Sequence, residues 1–403
     1  MMNLQKQEQQ PRSTCPVPIP DDTTIHEMAL LWKSVLGSFG KQTDNLKSPP
    51  SRVYINAILP SGQTEPSLYD RWREDDISLV THGSVEKLQR IRQQLSQWGT
   101  EKGPSSIALY ISRTEEIDDF VSFYNSHKHT TFRQSTFHVL LEKPNALGYP
   151  HNRLRNLALQ NCGTGFFLTL DGDFVTPYNG YAMIRSSLLQ NEGIRRTIRT
   201  NTLVVLPAFE WFLPAGATNS SSSQQPFSRL RTTLHDKESL LNLWESGQVG
   251  PFHVKNAPKG HGQTNYEKWK KEKASSSEPI YRVEYAPWFE PYVIGVTQSV
   301  PRYWEELRGY GFNKLSWIME CHYKGFKFAV SKEMFAVHLN HEVPTNKHSE
   351  LANEGFGHFS EYLVDAYGVA WNKLKRGIGP KLTHTDLYRD HLRRDKLPDV
   401  RNA

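Results

Sequence analysis

The chain has 403 residues, 37% of them hydrophobic and 11% aromatic, with ten Trp and a formal charge of +6. That length supports one large domain or two moderate ones around a true core, and the aromatics could line a groove. No apolar run approaches the ~20 residues that span a bilayer, the N-terminus lacks the apolar centre of a signal peptide, and the dispersed basic residues form no nucleic-acid motif.

Residues 1 to about 50 are rich in Gln, Pro and Ser and read as a flexible extension. One short amphipathic helix is predicted inside it, over residues 25–39. From residue 75 the pattern changes to alternating strands and helices. Strands are predicted over 77–82, 106–111 and 137–141, and helices over 85–98 and 115–127. The first helix carries Leu88, Ile91, Leu95 and Trp98 on one stripe; the second carries Ile117, Phe120, Val121 and Tyr124. A helix over 152–161, with Leu154, Leu157 and Ala158 inward, leads into a strand over 165–170. Further on, the pattern gives a helix at 181–190, a strand at 202–206, a Ser-rich surface insert within 215–228 and a helix at 230–246. A loop-rich stretch reaches about residue 287. Ordered structure follows at 288–297, a turn at 304–307, a helix at 314–323, strands at 327–330 and 334–338, and a last helix at 361–374 before a basic tail.

Strand–helix alternation argues for an α/β fold with a mostly parallel sheet flanked by helices. In such sheets ligands bind at the carboxyl ends of strands. Thr81-His82 and Asp171-Gly172-Asp173 both fall there. Two carboxylates one residue apart repel unless a cation stands between them. A hard divalent ion, Mn²⁺ or Mg²⁺, meets that need through oxygen ligands. Such an ion commonly holds a phosphate-rich substrate, as in sugar-nucleotide transferases. The order of a nucleotide half, an Asp-x-Asp and a mixed acceptor half ending in a His is the layout of a GT-A glycosyltransferase. The chain then divides into an extension over 1–74, a catalytic domain over 75–345 split near residue 175, and a helical C-terminal extension over 346–403.

The details resemble one family. Tyr149-Pro150-His151-Asn152-Arg153-Leu154-Arg155-Asn156, Leu170-Asp171-Gly172-Asp173-Phe174, Val205-Leu206-Pro207-Ala208-Phe209-Glu210, Phe289-Glu290-Pro291-Tyr292, Gly311-Phe312-Asn313-Lys314 with Ile318-Met319-Glu320, and Val337-His338-Leu339-Asn340-His341 resemble glycosyltransferase family 49 over roughly residues 75–345. The resemblance implies Mn²⁺ dependence, a UDP-sugar donor, and transfer of glucuronic acid to a glycan hydroxyl with inversion. It also implies a Golgi setting, although no anchor or signal is visible here. The chain is then either soluble or anchored by a segment outside this sequence.

Residue roles follow. Asp171, Asp173 and His338 are expected to hold the metal, with His341 the competitor for the imidazole position. Asp173 would bind most directly, and Asp171 would also reach the ribose or a metal-bound water. Thr81 and His82 would meet the uracil or ribose through backbone groups. Arg155 and Asn156 would reach the phosphates or ribose, Arg because its fork of donors stays charged; a surface salt bridge is the other reading for Arg155. Glu320 is the favoured general base, ahead of Glu290 and Glu210, because an apolar helix face would raise its pKa. Asn313 and Lys314 would hold the sugar carboxylate or the acceptor. Trp288, Phe289 and Trp317 either stack on sugars or belong to the core. A donor other than UDP-glucuronate, such as UDP-xylose or UDP-N-acetylglucosamine, and a silent carbohydrate-binding protein are the rival readings. Of the three Cys, Cys162 and Cys321 could bridge, and Asn219-Ser220-Ser221 is an N-glycosylation triplet.

Overall fold

In a computed structural model of the chain, the described residues are 24–39, 51–58, 73–99, 103–143, 148–212, 233–255, 257–273, 278–339 and 349–369. Nine strands build the main sheet. Their spatial order is β1 (Ser51–Ile58), β4 (Ser135–Glu142), β3 (Ser105–Ile111), β2 (Arg73–Ser84), β5 (Thr164–Thr169), β11 (Tyr292–Val296), β7 (Thr202–Leu206), β12 (Lys327–Ser331) and β10 (Ile280–Val283). The pairs β4–β3, β3–β2 and β2–β5 are parallel, which requires crossovers. The helices Leu88–Trp98, Thr114–His127 and His151–Gln160 supply them. Beyond β5 the sheet is mixed: β11 runs antiparallel to both neighbours and β12 parallel to β7. A second, four-stranded sheet has the order β6 (Phe174–Val175), β13 (Ala336–His338), β8 (Ala208–Trp211) and β9 (Val249–Pro251).

The central strands read as unbroken apolar runs because both faces of the sheet are covered. Successive side chains point to opposite faces. Thus Phe166 and Leu168 join one core with Val204, Leu206, Ile107 and Leu109, under the Leu88–Trp98 and Thr114–His127 helices. Phe167 joins the other with Leu203, Val205, Leu154 and Ala158. Phe289 and Trp317 also belong to this second core, so of the expected sugar-stacking trio these two are packing residues.

The sheet extends past the boundary expected at residue 75. β1 pairs with β4 along the sheet edge, and the Ile25–Phe39 helix buries Trp32 against Tyr54 and Phe120. Apolar surface on the edge of the nucleotide half is what draws this part of the extension in. At the other end, the Ser349–Tyr367 helix starts earlier than the sequence pattern indicates. It packs Phe356, Phe359 and Leu363 on Leu307 and Met319. Cys162 and Cys321 are both buried and free, so the bridge left open by the sequence is not made. The Ser-rich insert and Asn219 lie outside the described residues. Among the described residues no helix is long and apolar enough to cross a membrane.

One glycine in β5 has a specific reason to be glycine. A Cβ on Gly165 would stand 2.0 Å from the carbonyl oxygen of Glu74, where β2 and β5 shift register between Arg73 and Ile77. Gly165→Ala must push the two strands apart at the start of β5, at the opposite end of the strand from the Asp171 loop. A loss of at least about 2 kcal/mol is expected, read from the denaturant midpoint at unchanged m-value.

Candidate active site

β5 ends at Thr169, and the chain turns over the carboxyl end of β2. Leu170 donates its amide to Val80 O at 3.1 Å, and Phe174 donates back to Asp171 O at 3.0 Å. The Gln94 side chain staples the turn by donating to the carbonyls of Asp171 and Phe174, each at 2.8 Å. Gly172 lies against β2: a Cβ there would be 3.1 Å from His82 O and 3.3 Å from Ile91 Cγ1. Gly therefore serves close approach here, and a wider residue would lift the loop.

Asp171 is the centre of a dense polar cluster. Arg155 Nη2 donates to its Oδ1 at 2.8 Å. Tyr292 OH donates to its Oδ2 at 2.8 Å, and Lys314 Nζ reaches the same oxygen at 3.4 Å. Lys314 also lies 3.6 Å from the centre of the Tyr292 ring, a cation–π contact. Burial alone would raise the Asp171 pKa, but Lys314 and Arg155 overcome it and hold the carboxyl well below its ordinary range. His82 Nε2 comes within 3.9 Å of Asp171 Oδ1. Burial, with Arg155 beside it, lowers the His82 pKa to about 3, so the ring is neutral and this approach is not an ion pair. Two cations thus face one carboxylate at a strand end. An anion with spare oxygens, such as a diphosphate, completes that balance.

Asp173 is directed elsewhere. Its Oδ2 stands 3.8 Å from His338 Nε2, because β6 and β13 pair antiparallel with His338 opposite Phe174. Asp173 O also accepts the Leu339 amide at 2.8 Å. Among the described residues no three His, Cys, Asp or Glu side chains converge as a metal-binding group. The expected trio therefore separates into a pair, Asp173 and His338, while Asp171 is committed to Arg155, Tyr292 and Lys314. A carboxylate and an imidazole are donors that Mn²⁺ accepts. Two protein donors also suit a hard cation that arrives with phosphate oxygens and water. The residues fit the ion. His341 lies outside the described residues.

The three candidate bases have different surroundings. Glu320, the favoured one, is 4% exposed. Its Oε1 accepts from Tyr362 OH at 2.9 Å and Tyr367 OH at 3.1 Å on the last helix. Burial raises its pKa, as the sequence suggested, with the two tyrosine hydrogen bonds opposing. That burial is under a neighbouring helix, however, so Glu320 is a helix-packing carboxylate. Glu290 is the one beside the cluster. Burial raises its pKa, opposed by Lys314 and Arg155 and by a hydrogen bond from the Leu315 amide at the start of the Asn313–Tyr323 helix. Glu210 pairs with His338 across β8 and β13, and its Oε1 accepts the His253 amide at 3.2 Å.

Other expected contacts are structural. Asn156, 1% exposed, donates to Tyr303 O and Glu305 Oε1 and accepts from Tyr303 N. It clamps a loop, and both of its amide hydrogens are spent there. Asn313 donates to Gly309 O at 2.9 Å, closing the turn in which Phe312 takes φ 57°. Thr81 and His82 lie inside β2, which runs on to Ser84. Their backbone belongs to the ladder with β3, and both residues line the cleft with Arg155, Asp171, Tyr292 and Lys314. Tyr292, Gln94 and His261 were not singled out in the sequence. Tyr292 had a signal: it follows Phe289-Glu290-Pro291 in a resembling block.

A family profile described as "Glycosyl-transferase for dystroglycan" matches residues 124–356. The chain belongs to this family. Within it, Xylosyl- and glucuronyltransferase LARGE2 of Homo sapiens is 31% identical over 72% of this chain and 35% of its own. The Mus musculus protein of that name is 30% identical over 72% and 37%, and Xylosyl- and glucuronyltransferase LARGE1 of Homo sapiens 29% over 66% and 31%. The chain thus spans about a third of the length of these relatives. Solved structures similar to it include GalNAc-T7 with UDP, GalNAc and Mn²⁺, at 13% identity over 79% of this chain and 54% of that chain, TM-score 0.43. S. aureus TarS 1-349 in complex with UDP-GlcNAc follows at 11% over 74% and 69%, TM-score 0.36. The mixed sheet, parallel from β4 to β5 and flanked by helices, forms a single domain in this glycosyltransferase.

Proposed function

We propose that the chain is a metal-dependent, inverting glycosyltransferase that moves glucuronic acid from UDP-glucuronate to a hydroxyl of a glycan or glycoprotein. The observation that carries this reading is the Asp173–His338 pair, 3.8 Å apart, beside two cations held on Asp171. Asp173 and His338 would hold Mn²⁺, with Mg²⁺ the substitute. When bound, the ion supplies Lewis-acid stabilisation of the departing diphosphate. Arg155 and Lys314 turn from Asp171 toward the phosphate oxygens and keep the diphosphate in place. Thr81 and His82 offer side chains to the nucleoside. Glu290 takes the proton of the acceptor hydroxyl, since it is the candidate carboxylate beside Lys314 and Arg155. The Golgi lumen is the setting that the family resemblance supports for this work.

A second donor is favoured by one observation: the relatives are named xylosyl- and glucuronyltransferases. The deciding experiment is UDP release from UDP-glucuronate, UDP-xylose and UDP-N-acetylglucosamine, each with Mn²⁺, Mg²⁺ or a chelator. Turnover of UDP-glucuronate with Mn²⁺, abolished by the chelator, is expected. Turnover of UDP-xylose alone would shift the donor assignment. If no donor is consumed, and Mn²⁺ with UDP leaves the thermal midpoint unmoved, the chain is a silent carbohydrate-binding protein.

A further inference from the structure

His261 ends the short helix Pro258–His261 and is 5% exposed. Its Nδ1 is buried and meets no hydrogen-bond partner among the described residues. An unmade hydrogen bond on a buried imidazole is costly, and native structures rarely leave one without a use. The ring lies between Phe252, edge-on at 5.4 Å, and Tyr292, at 6.1 Å and 24° between planes. Tyr292 is the residue whose hydroxyl holds Asp171. One residue earlier, Gly260 O accepts the amide of Glu290 at 2.7 Å. The turn that carries His261 is therefore tied to the base on one side and packed on the Asp171 cluster on the other. In a displacement reaction the transferred sugar lies between the base and the leaving diphosphate.

We infer that His261 hydrogen-bonds a hydroxyl of the sugar being transferred and positions that sugar for attack. This rests on the transferase reading above. Burial, with Lys314 and His253 nearby, holds the His261 pKa well below its ordinary value, so the ring presents one N–H donor and one acceptor. A neutral ring of that kind matches a hydroxyl, whereas a phosphate or carboxylate would call for a cation. His261 is a positioning and specificity residue in this account and moves no proton.

His261→Phe keeps the ring packing and removes both nitrogens; His261→Gln restores a donor and an acceptor at a shifted position. Affinities for UDP and for UDP-glucuronate, or UDP-xylose if that is the donor consumed, are measured with Mn²⁺ alongside kcat, KM and thermal midpoint. For His261→Phe we expect UDP affinity within about twofold of wild type and kcat/KM for transfer lower by about 10- to 100-fold. His261→Gln should recover part of that loss. Wild-type transfer by His261→Phe overturns the inference and leaves the nitrogen to a buried water. A parallel fall in UDP affinity, or a loss of folding in Phe with full activity in Gln, also overturns it, because a packing role suffices. A wild-type protein that binds neither UDP nor any UDP-sugar overturns the transferase reading and this inference together.

Discussion

Asp173→Asn lowers transfer by a factor of about 10² to 10³ or more and leaves the fold intact. Asn has the same shape, and the backbone carbonyl of Asp173, which accepts from Leu339, is untouched. What is lost is one negative charge and one hard oxygen facing His338. The clearest readout is thermal. In wild type, Mn²⁺ with UDP should raise the midpoint by mass action; in the variant that rise should vanish while the midpoint without ligand stays within a degree or so of wild type. Asp171→Asn behaves differently. It leaves Arg155 and Lys314 without their anion, so the ligand-free protein itself should lose stability. Equal thermal behaviour of the two variants would contradict the division of labour between the carboxylates.

Glu290→Gln is expected to lower kcat by about 10² to 10⁴ with UDP affinity nearly unchanged, because the base acts on the acceptor proton. Its pKa is raised by burial. A base must be deprotonated to work, so transfer should fall as pH drops through a value above the ~4.3 of a free Glu, and this acid limb should disappear in the variant. Glu320→Ala supplies the contrast. It removes the acceptor shared by Tyr362 and Tyr367 and should cost about 1–3 kcal/mol of stability, with kcat of the folded protein within a few-fold of wild type. A large loss of kcat in Glu320→Ala, with none in Glu290→Gln, would reverse the two assignments.

Glu320 shows how much a buried carboxylate leaves open when it is read from sequence. The Trp-Ile-Met-Glu pattern correctly implied a buried carboxylate with a raised pKa. A raised pKa follows from desolvation of any kind, and desolvation under a packing helix looks the same in sequence as desolvation in a cleft. The expected metal set divides for a related reason. Asp171 and Asp173 are neighbours in sequence, yet a turn over Gly172 sends one toward Arg155 and Lys314 and the other toward His338. Asn156, adjacent to Arg155 on the same helix, likewise points to a loop and not to the cluster. Of the small second sheet only the strand at 334–338 was legible in sequence; its partners β6, β8 and β9 have two to four residues and carry no readable alternation.

The sequence by itself settled the α/β alternation, the strand that delivers Asp171, the blocks that resemble one transferase family and the presence of His338 at a strand end. Those are local properties: apolar periodicity, turn chemistry and residue order. Tertiary structure alone decided which carboxylate faces the imidazole, which glutamate lies beside the cations, and that Tyr292 holds Asp171. These depend on contacts between segments 16 (Arg155–Asp171), 121 (Tyr292–Asp171) and 165 (Asp173–His338) residues apart in the chain, and side-chain direction at such distances is fixed by the packing of strands and helices, which no local pattern encodes.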